Sequence, residues 1–283
     1  MKIGIVIPVH NEERFLGRTL DSLAAQSLLP TAVIVVDDGS TDRTSSILAD
    51  YSSRFAWMRV VSLSRKQNPT PGTAVVHAVQ AGLPHLPEEL DIICKYDGDL
   101  EFPTNYLQQI AKAFQNDSTV GIVGGVCTIE RNGDWVVESI TGPDHVRGAL
   151  KAYSTACFNA IGGLQASMGW DTLDEMLARF HGYEVRVLPQ LQVKHLKPTA
   201  STYTESYARR QGEVFYNLGY STMLVRVAAL KIALVHKKLG YYRQVMNGYC
   251  SLYKTKSPKL VTPVQAKFVN THRWKGIRSK LGL

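Results

Sequence analysis

The sequence predicts an α/β fold with a mostly parallel sheet flanked by helices, followed by a helical, basic C-terminal extension. In the first half, runs rich in Val and Ile alternate with helical segments of about ten residues, which indicates βαβ units. Hydrophobic residues make up 45% of the 283 residues, enough for a packed core. Residues 214–283 contain 13 Lys and Arg but no Asp or Glu, and this charge bias sets the C-terminal part apart.

Alternating strands and helices account for the first half of the chain. The predicted strands are residues 2–8, 32–36, 57–63 and 90–96. The predicted helices are residues 12–25, 40 to about 51, 73–81 and 105–114. A polar loop with prolines, residues 64–71, follows the third strand. Strands that alternate with helices in this way form parallel sheets.

The middle of the chain predicts a mixture of elements. The predicted strands are residues 120–126, 135–140 and 185–188, and the predicted helices are residues 150–161 and 172–180. From residue 202 the pattern is helical. Residues 223–235 are mostly apolar but include Arg226 and Lys231, so this segment is too short and too charged to span a bilayer. It is either a helix packed in the core or a helix that lies in a membrane interface.

The segment Asp97-Gly98-Asp99 directly follows the predicted fourth strand. In extended backbone, residues two apart point the same way, so both carboxylates are able to face one ligand. Carboxylate oxygens suit a hard divalent cation such as Mg²⁺ or Mn²⁺. The alternative is an ordinary turn, because Asp and Gly are frequent turn residues.

Polar, turn-prone residues follow several predicted strands, and ligands of open α/β sheets bind at the carboxyl ends of strands. These strand ends are residues 8–12, 37–40, 64–72 and 97–99. The first strand is not followed by G-x-G-x-x-G, and the chain has no G-x-x-x-x-G-K-[ST], which disfavours a dinucleotide fold and excludes a P-loop. A nucleotide site built from carboxylates remains. Asp37 and Asp38 would bind a base or ribose there, or would cap the following helix.

Three motifs in this order resemble family-2 glycosyltransferases with the GT-A fold, of the bacterial cell-surface polysaccharide type. They are Ile-Val-Ile-Pro-Val-His-Asn-Glu-Glu (5–13), Val-Ile-Val-Val-Asp-Asp-Gly-Ser-Thr-Asp (33–42) and Asp-Gly-Asp-Leu-Glu-Phe-Pro (97–103). The resemblance covers about residues 1–220. It implies that the nucleoside pocket is lined by Pro8, Val9 and Glu12, and that Asp38 or Asp37 contacts the uracil or the ribose.

The same resemblance implies a divalent cation, Mn²⁺ or Mg²⁺, together with the sugar-nucleotide diphosphate at Asp97, Gly98 and Asp99. His195 matches the position where many members of the family place a histidine on the metal, so the implied ligands are Asp99, Asp97 and His195. A structural role is the alternative for His195. Carboxylate and neutral imidazole together make a chemically sensible metal shell.

Residues 169–175, followed by Gly182-Tyr183, resemble the acidic motif that carries the family's catalytic base. The spacing of the family places Asp171 at the base position, with Asp174 and Glu175 as competing candidates one helical turn further on. The usual Glu-Asp pair is Trp170-Asp171 here. An Asp at a helix start is also an ordinary cap, and this alternative stays open.

Arg209 and Arg210 match the place where related bacterial enzymes have a lid or an acceptor-side helix. Paired arginines there are able to reach diphosphate oxygens, whereas the alternative is a solvated helix face. Residues 145–148 precede the presumed acceptor-facing helix and are expected to line the acceptor site.

The resemblance implies an inverting, metal-dependent transferase that moves a sugar from a UDP- or GDP-linked donor to a hydroxyl group. The expected acceptor is a saccharide or a lipid-linked saccharide in cell-surface polysaccharide synthesis, and transfer to polyprenyl phosphate is the second enzymatic alternative. A different class is a non-catalytic nucleic-acid or ligand-binding protein that uses the basic tail. Nucleic acid is disfavoured because that class leaves the Asp motifs unexplained.

The expected domains are a GT-A domain, residues 1–220, and a helical, basic extension, residues 221–283. The extension is expected to contact an anionic membrane surface, because polybasic segments are attracted to anionic lipids. Four cysteines are far apart in the sequence, which fits a reducing compartment. The apolar start of the chain is short for a signal peptide. We therefore expect a cytoplasmic protein, peripheral on the inner face of the cell membrane.

Overall fold

The computed structural model describes residues 1–64, 72–138, 142, 144–197, 204–280 and 282. By their internal contacts the residues fall into two units, Met1–Thr199 and Ala200–Leu283. The expected domain boundary at residue 220 falls within the second unit. Of the predicted loop at residues 64–71, all but Ser64 lies outside the described residues.

A nine-stranded sheet, counted over the described residues, forms the centre of the first unit. Its strands are β1 (Ile3–Val9), β2 (Ala32–Asp38), β3 (Met58–Leu63), β4 (Ile92–Tyr96), β5 (Leu100–Glu101), β6 (Val120–Arg131), β7 (Asp134–Val137), β8 (Leu150–Ser154) and β9 (Glu184–His195). The spatial order is β3-β2-β1-β4-β8-β6-β9-β5, and β7 pairs with β6.

Helices of the first unit pack their apolar sides on this sheet. They are α1 (Leu16–Ala24), α2 (Thr44–Arg54), α3 (Thr73–Gly82), α4 (Tyr106–Asn116), α5 (Thr155–Ala160) and α6 (Trp170–Phe180), with a short 3₁₀ turn at Leu83–His85. In α1, for example, Leu16, Leu20 and Leu23 are buried, at the spacing of one helix face. The predicted α/β architecture is confirmed.

The N-terminal half of the sheet is parallel. Strand β1 pairs in parallel with β2 and β4, and β2 pairs in parallel with β3. Strands β1 and β2 are buried almost throughout, as expected for strands covered by helices on both faces. Because these strands run the same way, the residues after β1, β2 and β4 meet at one edge of the sheet.

The second half of the sheet is mixed, and one helix prediction there is wrong. Residues 150–161 were expected to be helical, but residues 150–154 form β8, which lies antiparallel between β4 and β6, and only α5 is helical. Ladder pairing on both sides overrides the local helical preference of this segment. Among the strand pairs of the described residues, parallel and antiparallel pairings are therefore equally frequent.

Strand β9 is much longer than the predicted strand at residues 185–188. It runs parallel to β6, with a break in register between Gly124 and Val126. Gly125 fits at this break because a Cβ there would collide with the Leu191 backbone. The end of β9 also pairs with the short strand β5, which places His195 opposite Leu100. This pairing brings His195 next to the turn that follows β4.

The second unit consists of helices among its described residues. They are α7 (Glu205–Asn217), α8 (Thr222–Val235), α9 (Leu239–Lys254) and α10 (Pro263–Lys280). Gly212 and Gly248 let α7 and α9 approach closely, because a Cβ at either position would collide with the backbone of the other helix. In the part of the chain that the structure describes, no helix is long and apolar enough to cross a membrane.

Candidate active site

A pocket of about 280 Å³ lies at the sheet edge where β1, β2 and β4 end. It is lined by Pro8, Val9, His10, Glu12, Asp38, Ala74, Val75, Ala78, Asp97, Gly98 and Asp99. Most of the residues expected to bind a nucleotide sugar therefore lie together. His10 and the α3 residues are additional lining residues that were not singled out as binding residues from the sequence.

Glu12 presents a buried acceptor oxygen at this pocket. Its Oε1 accepts a hydrogen bond from Lys197 Nζ at 2.9 Å, whereas its Oε2 is buried and has no hydrogen-bond partner among the described residues. Burial raises the pKa of Glu12, although Lys197 opposes the shift. An unpartnered carboxylate oxygen is an acceptor for a hydroxyl or an N–H group of a ligand.

Asp37 and Asp38 have different surroundings. Asp37 is buried, and its carboxylate accepts hydrogen bonds from the Ser40 backbone N–H at 2.9 Å and the Ser45 hydroxyl at 2.6 Å. It therefore stabilises the loop between β2 and α2. Asp38 lines the pocket instead, so the geometry favours Asp38 as the residue that faces a ligand.

The Asp97-Gly98-Asp99 turn is held by its own backbone. Asp97 N–H donates to Ala149 O at 2.9 Å, and Asp99 O accepts from Leu196 N–H at 2.9 Å. Gly98 is required for space, since a Cβ there would lie 2.7 Å from Cγ1 of Val9. The turn therefore packs directly against the end of β1, with its two aspartates beside the pocket.

Lys95 connects this turn to the segment before β8. Its ammonium group is buried, forms an ion pair with Asp97 Oδ1 and donates to Gly148 O at 2.8 Å. Burial raises the pKa of Asp97, and the charge of Lys95 opposes that shift. One oxygen of Asp97 is therefore already bound by a cation of the protein itself.

Asp99 and His195 form the second half of the predicted metal shell. His195 Nε2 lies 3.5 Å from Asp99 Oδ2, and His195 Nδ1 lies 3.2 Å from Glu138 Oε2. Arg147 pairs with the same Glu138 carboxylate. A carboxylate on the far nitrogen of a histidine fixes the orientation of the ring, as it does in many metal sites.

The residues of this corner fit a divalent cation in part. Within the part of the chain that the structure describes, Asp99 Oδ1 is buried without a hydrogen-bond partner. An oxygen with a nearby imidazole nitrogen is a donor set that suits Mn²⁺. Among the described residues, however, no group of three or more His, Cys, Asp or Glu side chains is arranged to hold a metal ion. Asp99 and His195 would therefore hold a cation only together with further ligands, such as diphosphate oxygens.

A second group of charged residues surrounds the start of α6. We call Asp171, Asp174, Glu175, His145 and Lys151 the α6 cluster. His145 lies between two carboxylates, with Nε2 3.5 Å from Asp171 Oδ2 and Nδ1 3.1 Å from Glu175 Oε2. Burial alone would lower the pKa of His145, but its hydrogen bonds to the two carboxylates raise it to about 9. His145 is therefore a cation at neutral pH.

Lys151 holds the buried side of the α6 cluster. Its ammonium group lies 2.7 Å from Asp174 Oδ1 and 3.3 Å from Glu175 Oε1, and it also donates to Asp171 O. Asp174 Oδ2 accepts a 2.5 Å hydrogen bond from the Tyr153 hydroxyl. Buried carboxylates paired in this way satisfy their own charges and have little capacity left for a ligand.

Exposure separates the three acidic candidates. The side chain of Asp171 is 34% exposed, compared with 2% for Asp174 and 4% for Glu175. Burial favours the neutral form of Asp171, but His145 and Lys151 outweigh it and lower the pKa to about 2. Asp171 is thus the ionised carboxylate of the α6 cluster that a substrate is able to approach.

The model of the family described as "Glycosyl transferase family 2" matches residues 4–162 of this chain. The chain belongs to glycosyl transferase family 2. The family and the enzyme class predicted from the sequence are confirmed. The match includes the pocket residues from β1 to Asp99, whereas Asp171 and His195 lie beyond it.

Relatives and solved structures agree with this assignment. The probable glycosyltransferase YdaM of Bacillus subtilis (strain 168) is 28% identical over 127 residues, which is 44% of this chain and 29% of YdaM. The chain spans half or less of the length of the first curated relatives that it matches.

Two solved structures resemble the fold. The structure of S. aureus TarS 1-349 in complex with UDP-GlcNAc gives a TM-score of 0.58 at 18% identity, covering 88% of this chain and 72% of that one. The mannosyltransferase PcManGT from Pyrobaculum calidifontis, in complex with GDP-Man and Mn²⁺, gives 0.57 at 15% identity, covering 98% and 80%. At such identities the likeness shows the GT-A fold of this family member and no more.

A pair of buried lysines is a further feature of this family member that the sequence analysis missed. Lys95 on β4 and Lys151 on β8 are direct cross-strand partners. Both ammonium groups approach the Trp170 ring, at 5.4 Å and 5.7 Å from its centroid. A signal was present, because each lysine interrupts an otherwise apolar strand and buried lysines are rare unless paired.

Arg209 and Arg210 lie on α7 in the second unit, and both are exposed. Arg209 Nε lies 3.8 Å from Glu213 Oε1 one helical turn further on. Contact between these arginines and a diphosphate remains a prediction from the family resemblance.

Proposed function

We propose that this family-2 member transfers a sugar from a nucleotide-diphosphate sugar to a hydroxyl acceptor, with inversion at the anomeric carbon and with a divalent cation. One observation carries the proposal: a single pocket collects Glu12, Asp38, Asp97 and Asp99 from three strand ends. Carboxylate oxygens at such an edge suit the N–H and hydroxyl groups of a nucleoside. UDP-GlcNAc and GDP-Man in the two similar structures support this class of donor.

The nucleoside end of the donor would bind between β1 and β2. The Oε2 of Glu12 and the carboxylate of Asp38 would accept hydrogen bonds there, while Pro8 and Val9 supply an apolar wall. The diphosphate would then extend toward Asp97 and Asp99. These carboxylates repel phosphate oxygens by themselves, so the diphosphate needs positive charge between it and them.

Asp99 and His195 are the residues that would hold the cation. A bound Mn²⁺ or Mg²⁺ supplies positive charge that offsets the negative charge of the departing nucleoside diphosphate. Glu138 keeps the His195 ring oriented, and Lys95 keeps Asp97 in place. The chain's own contribution at this end is therefore orientation and binding.

Asp171 is the base in this proposal. It is ionised, partly exposed and held at the start of α6, so it is able to accept the proton of an acceptor hydroxyl as the new glycosidic bond forms. Asp174 and Glu175 are buried in ion pairs and serve to support it. Single displacement with inversion needs one such base and no carboxylate nucleophile.

Lys95 lies between the proposed donor-binding aspartates and the proposed base. It contacts Asp97 and Gly148, and a Cβ on Gly148 would lie 3.2 Å from Cβ of Asp171. Only one glycine thus separates the lysine that binds Asp97 from the proposed base. This proximity supports assigning both to one reaction centre.

We also propose that the acceptor is a lipid-linked saccharide, met at an anionic membrane surface. The basic character of residues 214–283 supports this part of the proposal. The donor chemistry does not depend on it.

A panel of UDP- and GDP-sugars, each with and without Mn²⁺, tests the donor part by thermal unfolding. One donor should raise the melting temperature by about 5 °C in the presence of Mn²⁺, since a ligand that binds only the native state stabilises it. Asp99→Asn should remove this shift, whereas the control Asp50→Asn, an exposed Asp on α2, should retain it. Stabilisation that is independent of both Mn²⁺ and Asp99 would contradict the proposal. Turnover with the active donor, followed by NMR of the product, then tests inversion.

A further inference from the structure

Helix α8 presents an apolar stripe to solvent. Met223, Leu230 and Leu234 are 68%, 49% and 64% exposed, and Val227 between them is also exposed. Their spacing puts all four on one face of the helix. A solvent-facing stripe of four large apolar residues on one helix needs an explanation, because such patches mark binding surfaces.

The other face of α8 accounts for the packing of the helix within the second unit. Leu224, Val225, Ala229 and Ala233 are buried and lie opposite the stripe. The helix is therefore already anchored by one side. The stripe is a second apolar face that the fold of this unit does not use.

Cations border the stripe on both sides. At about 100° per residue, Arg226 and Lys231 lie roughly 70° to either side of its centre, and both are exposed. Long basic side chains in this position are able to keep their charges in a polar layer while the residues between them enter an apolar one. Lys237 and Lys238 add two exposed cations just beyond the end of α8.

The charge around the stripe has a single sign. Residues 214–283 contain 13 Lys and Arg and no Asp or Glu. An acidic protein partner would satisfy these charges, but a broad apolar stripe flanked by cations also needs an apolar layer beneath a negative one. An anionic lipid bilayer has both, in that order.

We propose that the Met223–Val227–Leu230–Leu234 face of α8 docks on the surface of an anionic lipid bilayer, with Arg226 and Lys231 at the headgroups. The 14 residues of α8 extend only about 21 Å, so the helix lies in the interface rather than across it. This inference deepens the membrane part of the proposed function and rests on it. It assigns the docking to one helix face rather than to the basic tail as a whole.

Vesicle flotation with the whole chain tests the docking, without any sugar nucleotide. The protein should float with vesicles of phosphatidylcholine and phosphatidylglycerol, and much less with phosphatidylcholine alone. Binding should weaken as salt rises, because salt screens the headgroup attraction. A wild-type chain that stays out of the lipid fraction with both kinds of vesicle would overturn the proposal.

Two double variants test the face itself. Leu230→Ser with Leu234→Ser should weaken binding at least about tenfold, since two side chains lose their burial in lipid. Arg226→Gln with Lys231→Gln should weaken it roughly 25-fold, at about fivefold for each charge. The matched controls are Leu29→Ser and Lys112→Gln, exposed residues of the first unit, and they should bind as the wild type does.

Other outcomes separate the alternatives. Unchanged vesicle binding by both α8 double variants overturns the assignment to this face. Sedimentation without vesicles that shows a dimer, dissociated by Leu230→Ser with Leu234→Ser, would identify a second copy as the occupant and overturn the lipid proposal. If docking fails while transfer to a water-soluble acceptor persists, only this inference is wrong. If docking holds and no sugar nucleotide is turned over, the proposed transfer is wrong instead.

Discussion

We call the pocket-lining carboxylates Glu12, Asp38, Asp97 and Asp99, with the strand ends that carry them, the pocket edge. The pocket edge and the α6 cluster are both rich in carboxylates, but they differ in how those carboxylates are paired. At the pocket edge, Glu12 Oε2 and Asp99 Oδ1 are buried oxygens for which the described segments of the chain supply no hydrogen-bond partner. In the α6 cluster, Asp174 and Glu175 are each paired with Lys151 at 3.3 Å or less. Carboxylate oxygens that still lack a hydrogen-bond donor favour the pocket edge as the place where a ligand binds. Carboxylates that are already paired favour a structural role for Asp174 and Glu175.

The pKa directions follow the same division except at Asp174, where burial prevails although Lys151 opposes it, and the pKa rises to about 6. At the pocket edge burial prevails, and it raises the pKa of Glu12 and of Asp97. In the α6 cluster burial also acts, but the charge of Lys151 and the hydrogen bond from His145 outweigh it and lower the pKa of Glu175 to about 2. The α6 cluster brings its own cations, whereas the pocket edge would gain positive charge when its ligand and a cation bind.

Asp171→Asn should produce the largest effect, because Asp171 is the one member of the α6 cluster assigned to chemistry rather than support. Turnover should fall by about 10²–10⁴-fold, the usual contribution of a general base. Donor binding, measured as Mn²⁺-dependent thermal stabilisation, should stay within about twofold of the wild type. Asp171→Glu, which keeps the charge, should recover part of the turnover.

An Asp171→Asn variant with nearly normal turnover would show that another residue is the base. The α6 cluster would then have only a structural role. Equal loss of donor binding and turnover would instead assign Asp171 to the donor site.

Lys151→Met should reveal the structural role of the α6 cluster. Removing one partner of a buried ion pair leaves Asp174 and Glu175 under-compensated and should lower the free energy of unfolding by about 3 kcal/mol. Urea unfolding measures this loss. Lys112→Met, on the exposed side of α4, is the control and should change stability by less than about 0.5 kcal/mol.

The double variant Lys151→Met with Asp174→Asn should recover part of that loss, since it removes the buried carboxylate as well as its cation. Additive losses in the double variant would mean that the two side chains do not act as a pair.

The sequence alone was sufficient to predict which carboxylates lie together at the pocket edge. Strands β1 and β2 are apolar runs that end in polar residues, and β4 is an apolar run interrupted by Lys95. Local patterning therefore places Glu12, Asp38 and Asp97 at one edge. The family resemblance then implied the roles that we propose for them. Parallel strands need no long-range information to bring their carboxyl ends together.

The α6 cluster depends on long-range pairing that no local pattern contains. Lys95 and Lys151 become neighbours only through the register of β4 against β8, two strands more than fifty residues apart in sequence. The segment of β8 was itself predicted to be helical, so the sequence analysis could not predict that Lys95 and Lys151 are cross-strand neighbours. His145 and Asp171 meet by a loop and a helix start, and this contact too required the structure.

The α6 cluster should also give the protein a pH-dependent stability through His145. Its pKa rises from 6.5 to about 9 on folding, so its charged contacts stabilise the fold fully below pH 6.5, and that contribution is lost as pH rises through 9. At 1.36 kcal/mol per pKa unit the full contribution is about 3 kcal/mol. His145→Gln should therefore be less stable than the wild type at pH 6 and nearly equal to it at pH 10.

Urea unfolding of both proteins at the two pH values checks this, with His181→Gln, an exposed position at the end of α6, as the control. A stability difference that is the same at pH 6 and pH 10 would show that His145 acts by packing rather than by charge.

Gly98→Ala should have the smallest effect of these changes. It tests the pocket edge by the same measurement, the free energy of unfolding. The added Cβ would lie 2.7 Å from Cγ1 of Val9, so the turn or the end of β1 must shift, at a cost of about 1–3 kcal/mol. Because the crowded atom is a side-chain methyl, Val9→Ala in the same chain should relieve most of that cost. Gly133→Ala is a poor control, since Gly133 has a φ of 88°. A better control is Lys112→Ala, an exposed position on α4. If Val9→Ala fails to rescue stability, the glycine is needed for backbone conformation rather than for space, and the pocket edge is constrained by its turn rather than by its contact with β1.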